Sequence, residues 1–150
     1  MAVFFFVLAA MNALAPGRDH AELATAITAR VLAERPLFRG DDDRRRTAST
    51  MVAVAFREGS LRLSAVGDHG HSFCTFQIHT SSGGTEALTT DADACVAAAF
   101  RILRASARAC PEYPVASYAS GPGGCTNARA QRISRDRLGL ASRLAKTAAP

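Results

Sequence analysis

Between Gly59 and Gly84 the chain gives up helical periodicity for glycine, serine and short alternation. On both sides of this stretch apolar residues recur at three- and four-residue steps. The expected architecture is therefore a set of helices around one core, with one small extended element among them. Within the stretch, Ser72 to His79 (SFCTFQIH) alternates aromatic or apolar residues with polar ones, the pattern of a short extended or hairpin segment. A length of 150 residues supports one domain, and 48% apolar with 21% charged residues excludes a collagen-like, coiled-coil or mostly disordered chain. The expected class is mainly α, with α+β character.

Asp19 is placed to cap a helix over His20 to Glu34, where Leu23, Ala24, Ile27 and Val31 share one face and Pro36 ends the run. Asp41-Asp42-Asp43 precedes Arg44-Arg45-Arg46, which sets negative charge at the start of a second helix, where the dipole favours it. That helix should reach about Arg57, and its wide apolar face (Ala48, Met51, Val52, Ala55, Phe56) predicts a central position. After the interruption, Asp91 or Asp93 caps a helix through Val96, Phe100, Ile102 and Leu103 to about Ala109. Pro111 and Pro114 bracket a break, a short helix covers Val115 to Ala119, and Gly121-Pro122-Gly123-Gly124 is too glycine-rich to be helix interior. A last amphipathic helix spans Asn127 to Ala145, with Ile133, Leu138, Leu140, Ala141 and Leu144 inward and its arginines outward.

The amino terminus and the cysteines bear on compartment. Met1 to Met11 (MAVFFFVLAAM) is almost wholly apolar but shorter than the roughly 20 residues a membrane-spanning helix needs. Ala13-Leu14-Ala15 supplies the small residues that signal cleavage prefers, although no basic residue precedes Arg18 and Pro16 follows the cut. Residues 1–18 are read as an export signal and 19–146 as the folded domain, the alternative being a buried first helix or an uncleaved anchor. Cys74, Cys95, Cys110 and Cys125 contain no CxxC pair and no zinc-type spacing, so no metal and no cofactor are expected. Disulfides fit export, and of the three connectivities Cys110 with Cys125 is favoured, closing a short Pro- and Gly-rich loop and leaving Cys74 with Cys95. Four reduced, buried cysteines are the alternative. The net charge is +5, and 17 of the 18 basic residues are arginine, which favours anionic partners.

Glu58 is the residue best placed for chemistry. It ends the central helix with Met51, Val54 and Ala55 at i−7, i−4 and i−3, so its carboxylate projects beside apolar surface and then meets a glycine. A carboxyl so placed can hold a proton and donate it to a glycosidic oxygen. The plainer alternative is a solvent-facing helix-end residue paired with Arg57 or Arg62.

The run from Glu58 through Ala65-Val66-Gly67-Asp68 to Ser72-Phe73-Cys74-Thr75-Phe76-Gln77-Ile78 resembles the signature of the lysozyme-like superfamily, in particular lytic transglycosylases and goose-type lysozymes. Asp91 to Leu103 is similar to the helix that follows in that family, and Tyr118-Ala119-Ser120-Gly121 to its Tyr-Asn-Ala-Gly motif, so the resemblance covers about residues 48 to 125. Three departures stand out. Gly59 replaces the serine that usually follows the glutamate, with Ser60 one place on; Cys74 replaces a motif glycine, in keeping with a disulfide there; and Ala119-Ser120 replaces Asn-Ala.

The resemblance implies a lysozyme-like fold whose extended segment lines a cleft. It implies cleavage of the bond between N-acetylmuramic acid and N-acetylglucosamine, with Glu58 as acid and then base. Ser60, Ser72, Phe76, Gln77 and Tyr118 become candidate substrate contacts, with Phe73 or Phe76 stacking on sugar. A lytic transglycosylase needs no second carboxylate. A hydrolase does, and Asp68 is the candidate, with Glu86 and Asp91 behind it, although Gly67-Asp68 and His69-Gly70 read equally as a turn. His69, His71 and His79 are expected as polar cleft or surface groups. The implied partner is the peptidoglycan glycan strand, met by a monomer. A catalytically weak wall-binding protein on the same scaffold is the runner-up. A basic nucleic-acid binder, resting on Arg44 to Arg46 and the arginine-rich last helix, is third and lacks any recognisable motif.

Overall fold

The computed structural model describes residues 2–40 and 42–147; Met1 and Asp41, which the sequence reading included, lie outside them. The fold is mainly helical with one small antiparallel sheet. Its helices are α1 (Ala2–Leu14), α2 (Ala21–Ala33), α3 (Asp43–Gly59), α4 (Ala92–Ala109), α5 (Ala116–Ser120) and α6 (Ala128–Thr147). The sheet is built from β1 (Val66–Gly67), β2 (Ser72–Phe73) and β3 (Ile78–His79).

α3 is the centre of the core. Every residue from Thr47 to Ala55 is buried, so the helix is covered on all sides, by α1, α2 and α6. Small and β-branched side chains at Ala48, Val52, Ala53, Val54 and Ala55 let those neighbours approach closely. The hydroxyls among them are satisfied without leaving the core: Ser49 and Thr50 donate to the Arg46 carbonyl at 3.1 and 2.8 Å, and Thr47 Oγ1 accepts the Leu37 N–H at 3.0 Å.

The apolar amino-terminal segment forms α1 and packs on α2 and α3, burying Phe6, Val7, Ala10 and Met11 while Phe5 stays exposed. Behind it His20 is buried, and its Nε2–H donates to the Ala15 carbonyl at 2.8 Å. Asp91 Oδ1 accepts the Ala94 N–H at 2.9 Å and caps α4, as its sequence predicts, whereas α2 has His20 at its N-cap with no side-chain cap, and Asp19, expected there, lies one residue earlier and accepts the Ala21 N–H at 2.9 Å. No helix of the described residues is long and apolar enough to cross a membrane.

The interrupted stretch folds as a three-stranded meander, with Val66 opposite Phe73 and Ser72 opposite His79. The alternation over 72–79 thus belongs to two strands and the turn between them. That turn, Cys74 to Gln77, places both end residues at positive φ (57° and 50°) and closes with the Gln77 N–H on the Cys74 carbonyl at 3.0 Å. Cys74 pairs with Cys95 and so ties the turn to α4, while Cys110 pairs with Cys125 and ties the end of α4 to the segment before α6.

The Cys74–Cys95 bridge spans 21 residues. Chain-entropy reasoning gives such a loop about 3 kcal/mol of stabilisation. Urea unfolding of Cys74→Ala/Cys95→Ala should show a loss of that order.

Candidate active site

α3 closes with a left-handed cap that aims its last turn. Ser60 and Leu61 take φ of 53° and 59°, with the Ser60 N–H on the Phe56 carbonyl at 2.9 Å and the Leu61 N–H on the Ala55 carbonyl at 3.3 Å. Against this end lies the β2–β3 turn. Thr75, fully buried, donates its hydroxyl to the Ala55 carbonyl at 3.1 Å, and a Cβ on Gly59 would stand 2.5 Å from the Thr75 carbonyl oxygen. A serine after Glu58 cannot be accommodated at that distance, which explains why glycine stands there.

Glu58 is partly buried, its side chain 22% exposed, and it meets α6. Arg137 donates to Glu58 Oε1 through Nη2 at 2.9 Å and through Nε at 3.2 Å. Next to this pair, Arg57 donates to Asp136 Oδ1 at 2.9 Å, so two successive residues of α3 cross with two of α6. A carboxylate in the last turn of a helix faces the negative end of the dipole, and the Arg137 guanidinium offsets that cost. Among the described residues nothing donates to Oε2.

Tyr118, on α5, completes the cluster. Its hydroxyl donates to the Phe76 carbonyl at 2.5 Å, joining α5 to the β2–β3 turn, and its backbone N–H donates to Ser106 Oγ at 3.0 Å. The residue as a whole is partly exposed, but its hydroxyl end is buried. Burial above all, and then the nearby Glu58 carboxylate, push the phenol well above the ordinary tyrosine range, while Arg137 acts in the opposite direction. Gln77 folds back on its own turn, donating Nε2–H to the Cys74 carbonyl at 2.9 Å. Its Oε1 fills the space where Gly67 would carry a Cβ.

The fold therefore seats the turn that carries Gln77 against the last turn of α3, beside Glu58, and bonds Tyr118 to that turn within electrostatic reach of the Glu58 carboxylate. The other candidates sit elsewhere or face another way. Phe76, expected to meet substrate, is fully buried and packs in the hydrophobic core, where no substrate reaches its ring; Phe73 is half-buried. Ser72, also expected at substrate, is 1% exposed and donates its hydroxyl to Asp68 Oδ2 at 2.5 Å. Asp68 lies in the β1–β2 turn at φ 48° and holds that turn. Ser60 is exposed and its carbonyl accepts from Arg18 at 2.6 Å. Glu86 is exposed in a 3-10 turn, and Asp91 is spent as the α4 cap. His71 and His79 lie with ring centres 6.2 Å apart, and no group of three or more metal-capable side chains occurs among the described residues. Two surface cavities, of about 610 and 490 Å³, border other parts of the molecule and not Glu58.

Arg137 is the residue that sequence reasoning missed, since all arginines of the last helix were expected to face outward. The signal was in the spacing: Ala130, Ser134, Arg137, Ala141 and Leu144 follow the four-three-four-three step of one helix face, and the other four are buried. A charged residue on such a stripe marks a partner across the interface.

Gly59→Ser should destabilise the protein by about 3 kcal/mol, because the clash is with backbone that cannot turn aside; chemical denaturation measures it. Raising the pH should leave Tyr118 protonated where the unfolded chain's tyrosine ionises. Stability therefore falls once pH passes about 10, where the unfolded phenol starts to lose its proton. Tyr118→Phe should flatten that part of the stability profile. No family model, curated protein or solved structure matches this chain.

Proposed function

We propose that the protein is an exported peptidoglycan-cleaving enzyme, a lytic transglycosylase in which Glu58 is the single catalytic carboxylate. The observation that carries this reading is the seating of the turn that carries Gln77 on the last turn of α3, beside Glu58, with Tyr118 bonded to the same turn and within electrostatic reach of Glu58, three residues that the resemblance groups in one cleft. Oε2, free of donors among the described residues, is the oxygen that carries the proton. It gives that proton to the glycosidic oxygen as the bond to the muramic acid C1 breaks, leaving an oxocarbenium-like centre and a free N-acetylglucosamine hydroxyl. The muramic acid 6-hydroxyl then attacks C1 and returns its proton to Glu58, so the product is a 1,6-anhydro end and the acid is restored. This route needs no second carboxylate, in keeping with Asp68 being committed to Ser72. Arg137 holds Oε1 throughout and orients the group. Two disulfides are compatible with an oxidising, exported setting.

A second reading is favoured by the same Arg137 pair. A carboxylate kept as an ion pair is a poor acid, so the scaffold would bind wall without cutting it. Incubation with purified murein and mass analysis of the soluble fraction separates the two. The enzyme reading expects anhydro-muropeptides, lost by a factor of about 10³ in Glu58→Gln with the fold intact. Co-sedimentation with murein and no released product would establish the binding protein instead, and unchanged cleavage by Glu58→Gln would remove Glu58 as the acid.

A further inference from the structure

The arginines of α2 and α4 gather on a face that shares no residue with the Glu58 cluster. The cavity of about 610 Å³ between these helices is bordered by Arg30, Glu34, Arg101, Arg104 and Arg108. Alanines at 97, 98 and 105 border the same space, and their short side chains leave a trough between the longer stems. Arg101, Arg104 and Arg108 succeed one another at three- and four-residue steps, so they share one face of α4 and span about 10 Å.

Four guanidinium groups face one carboxylate there, and that carboxylate is already engaged. Glu34 accepts from Arg104 at 2.9 Å and lies 3.5 Å from Arg30. Arg104 also donates to the Arg35 carbonyl and stacks over Phe100, with 4.8 Å from its guanidinium carbon to the ring centre, which makes it a fixed part of the wall. The other two are different. Arg101 has only a 3.3 Å bond to the Ser82 carbonyl, Arg108 has no ion-pair partner among the described residues, and both are exposed. A guanidinium presents paired donors matched to an oxyanion, and it is less strongly hydrated than an ammonium.

We infer that this trough binds a flexible, base-free polyanion with an oxyanion on each repeat, of the phosphodiester or polyphosphate kind. Arg101 and Arg108 contact successive anionic groups, and Arg104 holds the wall between them. A single small anion would use only one end of the row. Single-stranded nucleic acid is disfavoured because the one aromatic residue lining the trough, Phe100, is 2% exposed and offers no stacking surface.

Anisotropy of end-labelled linear polyphosphate titrated with the intact protein tests it. Saturable binding that weakens steeply with salt is expected. Arg101→Glu/Arg108→Glu should bind at least about tenfold more weakly, and Arg108→Glu alone should move the same way by less. Arg129→Glu/Arg132→Glu reverses two exposed arginines on α6 with the same change in net charge, and should lose less than about threefold. Thermal melting verifies that each variant is folded. Absence of binding at low salt, equal losses in the two double variants, or tighter binding of an oligothymidylate of equal charge would each overturn the inference.

Discussion

The contact between Gly59 and the Thr75 backbone is the constraint on which the site depends. With a hydrogen in place of a side chain at Gly59, the β2–β3 turn can rest on the last turn of α3, and the buried Thr75 hydroxyl bonds the Ala55 carbonyl. From that seat the Phe76 carbonyl is presented to Tyr118, and Tyr118 is brought within electrostatic reach of Glu58. The Cys74–Cys95 bridge holds the same turn from its other side by fixing it to α4. A larger residue at position 59 would lift the turn and separate all three groups.

Charge crossing between α3 and α6 acts at the same end of the molecule. Arg57 with Asp136 and Glu58 with Arg137 reverse sign from one residue to the next, so a slip of the helices past each other would set like charges together. The exposed Arg57 pair contributes little to stability, and the more buried Arg137 pair contributes more because water screens it less. Both fix register. The same pairing orients Glu58 and leaves one of its oxygens free of donors among the described residues.

Much of the helical frame was legible in the sequence. The central position of α3 followed from its broad apolar face, the start of α4 from Asp91, and the favoured disulfide pairing from a short Pro- and Gly-rich loop. The inward role of Arg137 was not read, because charge was allowed to outweigh a helical step that its buried neighbours share. Phe76 and Ser72 could not be oriented from alternation alone. Two strands of two residues and a turn with two positive-φ residues break the simple inside-outside rule.

By itself, then, the sequence determined the helices after the apolar amino-terminal segment, the place where they are interrupted and the carboxylate at the end of the central one. Periodicity and capping are local properties and survive without knowledge of neighbours. Only the tertiary structure decided what surrounds that carboxylate. Arg137 lies 79 residues away from Glu58, and Tyr118 lies 42 away from the carbonyl it holds. Such pairs are selected by how close two backbones can come, and for the turn that Tyr118 holds that distance is set by the missing side chain of Gly59.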